Sequence, residues 1–153
     1  MDSQFALQVL YPLGRCYKMV DKHFQAAFLD KDLTVSKFGI LDILHHKGRV
    51  SLQEIAGTLN SSNGNITWIA DALERSGLVR RVRSTADRRV VFLELTAEGR
   101  TRYRELIPFY EQTVVDMLSV LTPDEAAVLS RLLKKFGRAL QERHEPGRVK
   151  AAG

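Results

Sequence analysis

The chain is short of cysteine, proline and long apolar runs, and each shortage closes off a class of protein. Cys16 is the only cysteine, so an intramolecular disulfide cannot form and cysteine-based zinc fingers are excluded. No apolar run approaches the roughly 20 residues of a membrane span. The opening MDSQFALQVLYPLGR lacks the basic region and cleavage site of a signal peptide, so a cytoplasmic location and no membrane partner are expected. There is no nucleophile elbow, phosphate-binding glycine loop or HExxH stretch, and four scattered histidines propose no triad. Neither catalysis nor a cofactor is expected.

What is present is globular. With 153 residues, 44% hydrophobic and 27% charged, the chain fits one domain with an ordinary core. Its formal net charge of +5 admits nucleic acid or acidic lipid as a partner, and the position of the charge must decide.

Four prolines, at 12, 108, 123 and 146, punctuate a helix-friendly sequence. Phe5, Val9, Leu10, Leu13, Tyr17, Val20, Phe24 and Phe28 recur at helical spacing, with Pro12 marking a start or a bend. After the polar joint Lys31-Asp32-Leu33, Thr34 caps a helix to about His46, with Phe38, Ile40, Leu41 and Leu44 inward. Gly48 stops it. Ser51 to Glu54 reads as a capping box for a short helix ending near Leu59. Ser62 then caps another, whose inward stripe is Ile66, Ile69, Ala70 and Leu73. Two short helices joined by a turn are a helix-turn-helix candidate.

The period then changes from 3.6 to 2. Leu78–Arg83 and Val90–Leu95 read as antiparallel strands joined by the polar loop 84–89, a wing. Thr96 opens a long helix with Pro108 as a bend, and Thr122-Pro123-Asp124-Glu125 opens the last one, to about His144. The fold class is mainly α with a small β-hairpin wing.

Between Arg75 and Arg89 lie six arginines (75, 80, 81, 83, 88 and 89) against one acid, Asp87. Arginine pairs with phosphate in bidentate fashion and enters narrow minor grooves. The preceding helix offers Ser62, Asn63, Gly64, Asn65, Thr67 and Trp68, a face suited to a major groove, where Asn takes adenine and Thr donates to bases or phosphate. The expected recognition residues are these six, and the expected wing and strand contacts are Arg80, Arg81, Arg83, Asp87, Arg88 and Arg89. Trp68 can stack, touch a thymine methyl or pack against its own domain; packing is the commoner fate of such a ring.

Ser51-Leu52-Gln53-Glu54-Ile55-Ala56, Ser62 to Thr67, Leu73 to Arg81, and Asp87-Arg88-Arg89 followed by Leu95-Thr96-Ala97-Glu98-Gly99 together resemble the MarR-type (multiple-antibiotic-resistance regulator) family of winged helix-turn-helix proteins. The resemblance covers about residues 5–144. It implies a transcription regulator, a repressor acting as a homodimer on a pseudo-palindromic double-stranded DNA operator, often relieved by a small aromatic or anionic effector or by oxidation. It also implies one domain, 1–153. Within it, 1–31 and 100–145 are dimerisation helices, 32–99 the winged lobe and 146–153 a flexible tail. Where the family often carries arginine after the recognition-helix Thr and four residues further on, this chain has Trp68 and Ala72. The family's ligand crevice lies between lobe and dimer helices, which makes Arg15, Cys16 and His45 the candidate effector residues.

Cys16 sits where peroxide-sensing relatives also place a cysteine in the first helix, although the surrounding pattern differs. Arg15 and Lys18 would favour its thiolate, but a plain half-buried thiol is the expected reading. His45 and His46 point about 100° apart and suit a helix C-terminus better than one metal ion, so no metal is expected. Two other functions compete with the operator-binding reading. One is a winged-helix module for protein contact with no operator of its own, and the other a redox sensor using Cys16.

Overall fold

The computed structural model describes residues 2–85, 87 and 90–144. The expected tail 146–153 and the wing residues Arg88 and Arg89 lie outside the described residues. Six helices and three short strands are described: α1 Ser3–Ala27, α2 Val35–Lys47, β1 Val50–Ser51, α3 Leu52–Thr58, α4 Asn63–Arg75, β2 Val79–Arg83, β3 Val91–Leu95, α5 Ala97–Leu118 and α6 Pro123–His144. The chain divides into two compact units, Met1–Tyr110 and Glu111–Gly153. The division falls inside α5.

The first unit holds the helix-turn-helix. Thr34 Oγ1 accepts from Lys37 N, Ser51 Oγ from Glu54 N and Ser62 Oγ from Asn65 N, which satisfies one free amide at the start of α2, α3 and α4 in turn. The capping box at Ser51 is only half made, because the Glu54 carboxylate takes Lys47 Nζ at 2.8 Å instead. Gly48, at φ +76°, ends α2 in the left-handed region where a side chain would be strained. The α3–α4 turn passes through Asn60 at φ +48°, a residue that tolerates this conformation.

The core is one cluster. Phe38, Ile40, Leu41 and Leu44 of α2 meet Ile55 of α3, Ile66 and Leu73 of α4, and Val50, Val79 and Leu93 of the sheet, all nearly fully buried. The sheet order is β1-β3-β2, antiparallel, with Val79 opposite Leu95 and Arg80 opposite Glu94. Strand β1 was not expected. Its two residues show no period of their own, and Val50 pairs with Leu93 only because the chain leaving Gly48 runs along β3.

Thr96 and Gly99 lock the start of α5 onto the turn after α4. Thr96 Oγ1 donates to Gly77 O at 2.6 Å and accepts from Gly99 N at 3.0 Å, while Thr96 N donates to Leu78 O. A Cβ on Gly99 would stand 1.9 Å from Leu78 O, so no side chain fits there. Tyr103 and Leu106 of α5 enter the core, and Phe28, Phe38, Phe109 and Tyr110 pack ring against ring beside them.

Helix α1 neither starts nor breaks at Pro12; it runs from Ser3, capped by Asp2, to Ala27. The hydrogen bond that proline removes belongs to the carbonyl of Gln8, an exposed residue on a helix with no buried side chain. In the second unit α6 carries the complete capping box: Thr122 N donates to Glu125 Oε2 at 2.8 Å and Glu125 N to Thr122 Oγ1. Those bonds hold the Glu125 carboxyl below its ordinary range, the backbone amide first and the hydroxyl second.

Candidate nucleic-acid interface

Helix α4 buries Ile66, Ile69, Ala70 and Leu73 against the core. Helical spacing puts Gly64 and Trp68 opposite that stripe and Thr67 on its flank, and these residues with Ser62, Asn63 and Asn65 are exposed. Two of the polar groups are partly spent within the segment. Asn65 Nδ2 donates to Ser61 Oγ at 2.9 Å, and Thr67 Oγ1 donates to the Asn63 carbonyl at 2.8 Å. Thr67 therefore offers an outside partner its lone pairs and methyl group, not the hydrogen first expected of it. Trp68 does not pack on its own domain: 65% of it is exposed. Its helical position turns it away from the Ile66–Ile69–Leu73 stripe, and the core is already closed without it.

The arginines separate by environment. Arg81, expected among the phosphate contacts, turns toward α4. Its guanidinium pairs with Asp71 Oδ1 and Glu74 Oε2, each at 2.5 Å, and its amide donates to Glu74 Oε1 at 2.9 Å. A longer bond of 3.4 Å reaches the Thr67 carbonyl. Burial alone would lower the Arg81 pKa, but hydrogen bonds and charge from Asp71 and Glu74 outweigh it and raise the pKa above the ordinary value. Arg80 and Arg49 close on Glu94 from two sides, at 2.5 and 2.9 Å. Their hydrogen bonds hold the Glu94 carboxyl below its usual range. Arg83 is exposed at the wing end of β2. At the loop, Asp87 N donates to Ser84 Oγ and Asp87 O accepts from Val90 N. Arg88 and Arg89, expected among the wing contacts, lie outside the described residues.

Counting charge along residues 75–89 missed the acids that neutralise two of these arginines. Glu74 lies one residue before that window, Asp71 one helical turn before Arg75, and Glu94 across the strand pair. The signal available was register: pairing Val79 with Leu95 places Arg80 opposite Glu94.

The three candidate effector residues are not brought together. Arg15 and Cys16 are exposed on α1, so the thiol is not the half-buried one expected. His45 stacks on Tyr103 with centroids 4.2 Å apart, while His46 Nε2 lies 3.4 Å from Asp42 Oδ1. Asp42 also accepts from the Tyr103 hydroxyl at 2.9 Å. His45 does line an open cavity of about 350 Å³ with Leu44, Gly48, Arg49, Arg80, Glu94, Leu95 and Arg100. Arg49, Arg80, Glu94 and Arg100 were not anticipated there. Among the described residues no group of three His, Cys, Asp or Glu side chains could hold a metal ion, and no helix is long and apolar enough to cross a membrane.

A capped helix with its outer face free, behind a second helix and beside a basic two-stranded wing, defines a winged helix-turn-helix DNA-binding protein. The sequence profile of the MarR family matches residues 33–91. The HTH-type transcriptional regulator MhqR of Bacillus subtilis is 30% identical over 142 residues, covering 93% of this chain and 98% of the relative. The chain belongs to the MarR family and is a DNA-binding transcriptional regulator. Among solved structures, BpsR of Bordetella bronchiseptica, whose DNA binding is regulated by 6-hydroxynicotinic acid, superposes with a TM-score of 0.78 at 29% identity. The superposition covers 85% of this chain and 98% of BpsR. A mutant of MarR from E. coli in complex with operator DNA gives 0.73 at 26% identity, covering 89% and 99%. These relatives are regulators, not enzymes.

Proposed function

We propose that the protein is a homodimeric repressor that places two copies of α4 in successive major grooves of a pseudo-palindromic operator and releases it on binding a small anionic effector. The observation that carries this reading is the uncovered apolar face of the terminal helices. On α6, Val128, Leu129, Leu132, Leu133, Phe136 and Leu140 are each exposed by 38% or more. At 100° per residue all six fall within an arc of about 140°. On α1, Phe5, Val9, Leu10, Tyr17 and Val20 are exposed at the same spacing. Uncovered apolar stripes on two long helices call for a protein partner, and a second copy supplies a matching surface by two-fold symmetry. The two α4 helices of such a dimer then address half-sites about one DNA turn apart.

The effector part rests on the cavity beside His45, where Arg49, Arg80 and Arg100 outnumber Glu94. That surplus of positive charge suits a carboxylate, and BpsR answers to an aromatic acid. Sedimentation and footprinting upstream of the protein's own gene test the assembly. A dimer protecting two half-sites is expected, with Phe136→Glu giving monomers and losing protection. A monomeric wild type that protects the full site refutes it. Release from DNA by aromatic acids, lost in Arg100→Ala, tests the effector.

A further inference from the structure

The outer face of α4 is unusual in what it offers a base edge. Residues 63–70, its first two turns, contain no Lys or Arg, although the leading residues of a recognition helix are the ones that reach bases. Asn65 and Thr67 each commit a donor internally, and Asp71, one turn on, is held by Arg81. Beside the Asn63 amide and the remaining Asn65 groups, the face presents a large apolar ring, an indole. Trp68 is 65% exposed, and its same-face neighbours four residues away on either side are Gly64 and Ala72, too small to screen it. The space beside Gly64 is open, with no atom within 4 Å of where its Cβ would be. The ring is therefore the largest projection on the face that enters the groove.

The major groove presents one apolar group, the C5-methyl of thymine. We propose that Trp68 is the specificity-determining residue of this regulator: its ring packs on a thymine methyl in each half-site, so the operator is recognised there by apolar contact and not by arginine hydrogen bonds to guanine. This rests on the reading that α4 occupies the major groove. A chain that binds DNA without needing that methyl separates the failure of one from the failure of the other.

The probe is a duplex enriched by the wild-type protein from a randomised pool, then resynthesised with deoxyuridine for thymidine at single positions. The exchange removes the methyl and keeps every hydrogen-bonding group. One thymine per half-site should matter, costing about fourfold in affinity for each buried methyl and roughly fifteenfold for both half-sites. Trp68→Ala should bind the methylated and demethylated duplexes alike, whereas Trp68→Phe should keep part of the preference. Because Trp68 is the only tryptophan, its emission should shift on binding the thymine duplex and less on binding the deoxyuridine one. Salt-dependent binding that ignores the methyl overturns the Trp68 assignment alone. So does a preference equally strong in Trp68→Ala, or unwinding of closed circular DNA, which would mean the ring enters the base stack. A pool that yields no enriched duplex, with no salt-dependent shift, overturns the DNA reading and this one together.

Discussion

Arg81→Met separates two roles that a basic strand residue can have in a winged lobe. The substitution keeps the apolar stem and removes the guanidinium, with its pairs to Asp71 and Glu74 and its reach to the Thr67 carbonyl. The Arg81 side chain is 26% exposed, and its partners are 46% and 38% exposed. Solvent therefore screens both pairs, and the cost lies between the ~0.2–1 kcal/mol of an exposed pair and the ~3–5 kcal/mol of stranding a buried charge. About 1–2 kcal/mol is expected, lowering Tm by roughly 2–8 °C for a chain of this size. Calorimetry measures that, and Glu74→Gln in the same background should cost less than it does alone, since the pair it would break is already gone. DNA binding supplies the second axis. If Arg81 held a phosphate, its removal would reduce the salt slope by about 0.9 for each phosphate released. A strut between β2 and α4 leaves the slope where it was. The reasoning is refuted if Arg81→Met melts like wild type and loses slope. Arg83→Met, at an exposed position, should behave in that opposite way.

Gly99→Ala should cost about 1–3 kcal/mol and depress Tm accordingly, because its Cβ would meet Leu78 O at 1.9 Å; an unchanged melt would show that the start of α5 is free to shift. Glu94 has a folded-state pKa below its ordinary value. The stability it contributes is thus fully present above the ordinary carboxylate range and is lost as pH falls through the lowered value; urea titrations across that range should show Glu94→Gln missing this acid-side loss. Arg89→Ala, in the wing, should weaken binding to operator and scrambled duplex alike and flatten the salt dependence by about one unit for each phosphate it no longer neutralises; altered base preference with an intact slope would contradict it. Cys16→Ser should leave operator binding and its response to peroxide unchanged, and loss of a peroxide response would make the exposed thiol a sensor.

Much of the lobe could be read from the chain because its signals are local. Thr34, Ser51, Ser62 and Thr122 each announce a helix through a bond spanning three residues. The stripe Ile66, Ile69, Ala70 and Leu73 states which side of α4 is buried. Pairwise geometry at longer range was illegible in proportion to its distance along the chain. Glu54 completes no capping box because Lys47, seven residues back, competes for its carboxylate. Strand β1 exists only through β3, more than forty residues away. The arginine count between 75 and 89 looked like free charge until Asp71, Glu74 and Glu94 arrived from a helix and a neighbouring strand.

The same distinction decides what the interface is made of. A charge within reach of an opposite charge inside the lobe is already partly satisfied, and it gains less from DNA than its sequence position suggests. Arg80 and Arg81 are in that condition, whereas Arg83 is exposed with no such pair among the described residues, so phosphate contact is proposed for it before them. Trp68 shows the converse. A ring that prefers burial stays exposed when Phe38, Leu41, Ile66 and Leu93 have filled the core beneath its helix. Such a side chain costs the free protein nothing in packing, and it recovers buried area only against a partner. On the proposed reading, arginine steers and holds the duplex, and the apolar side chain on α4 does the choosing.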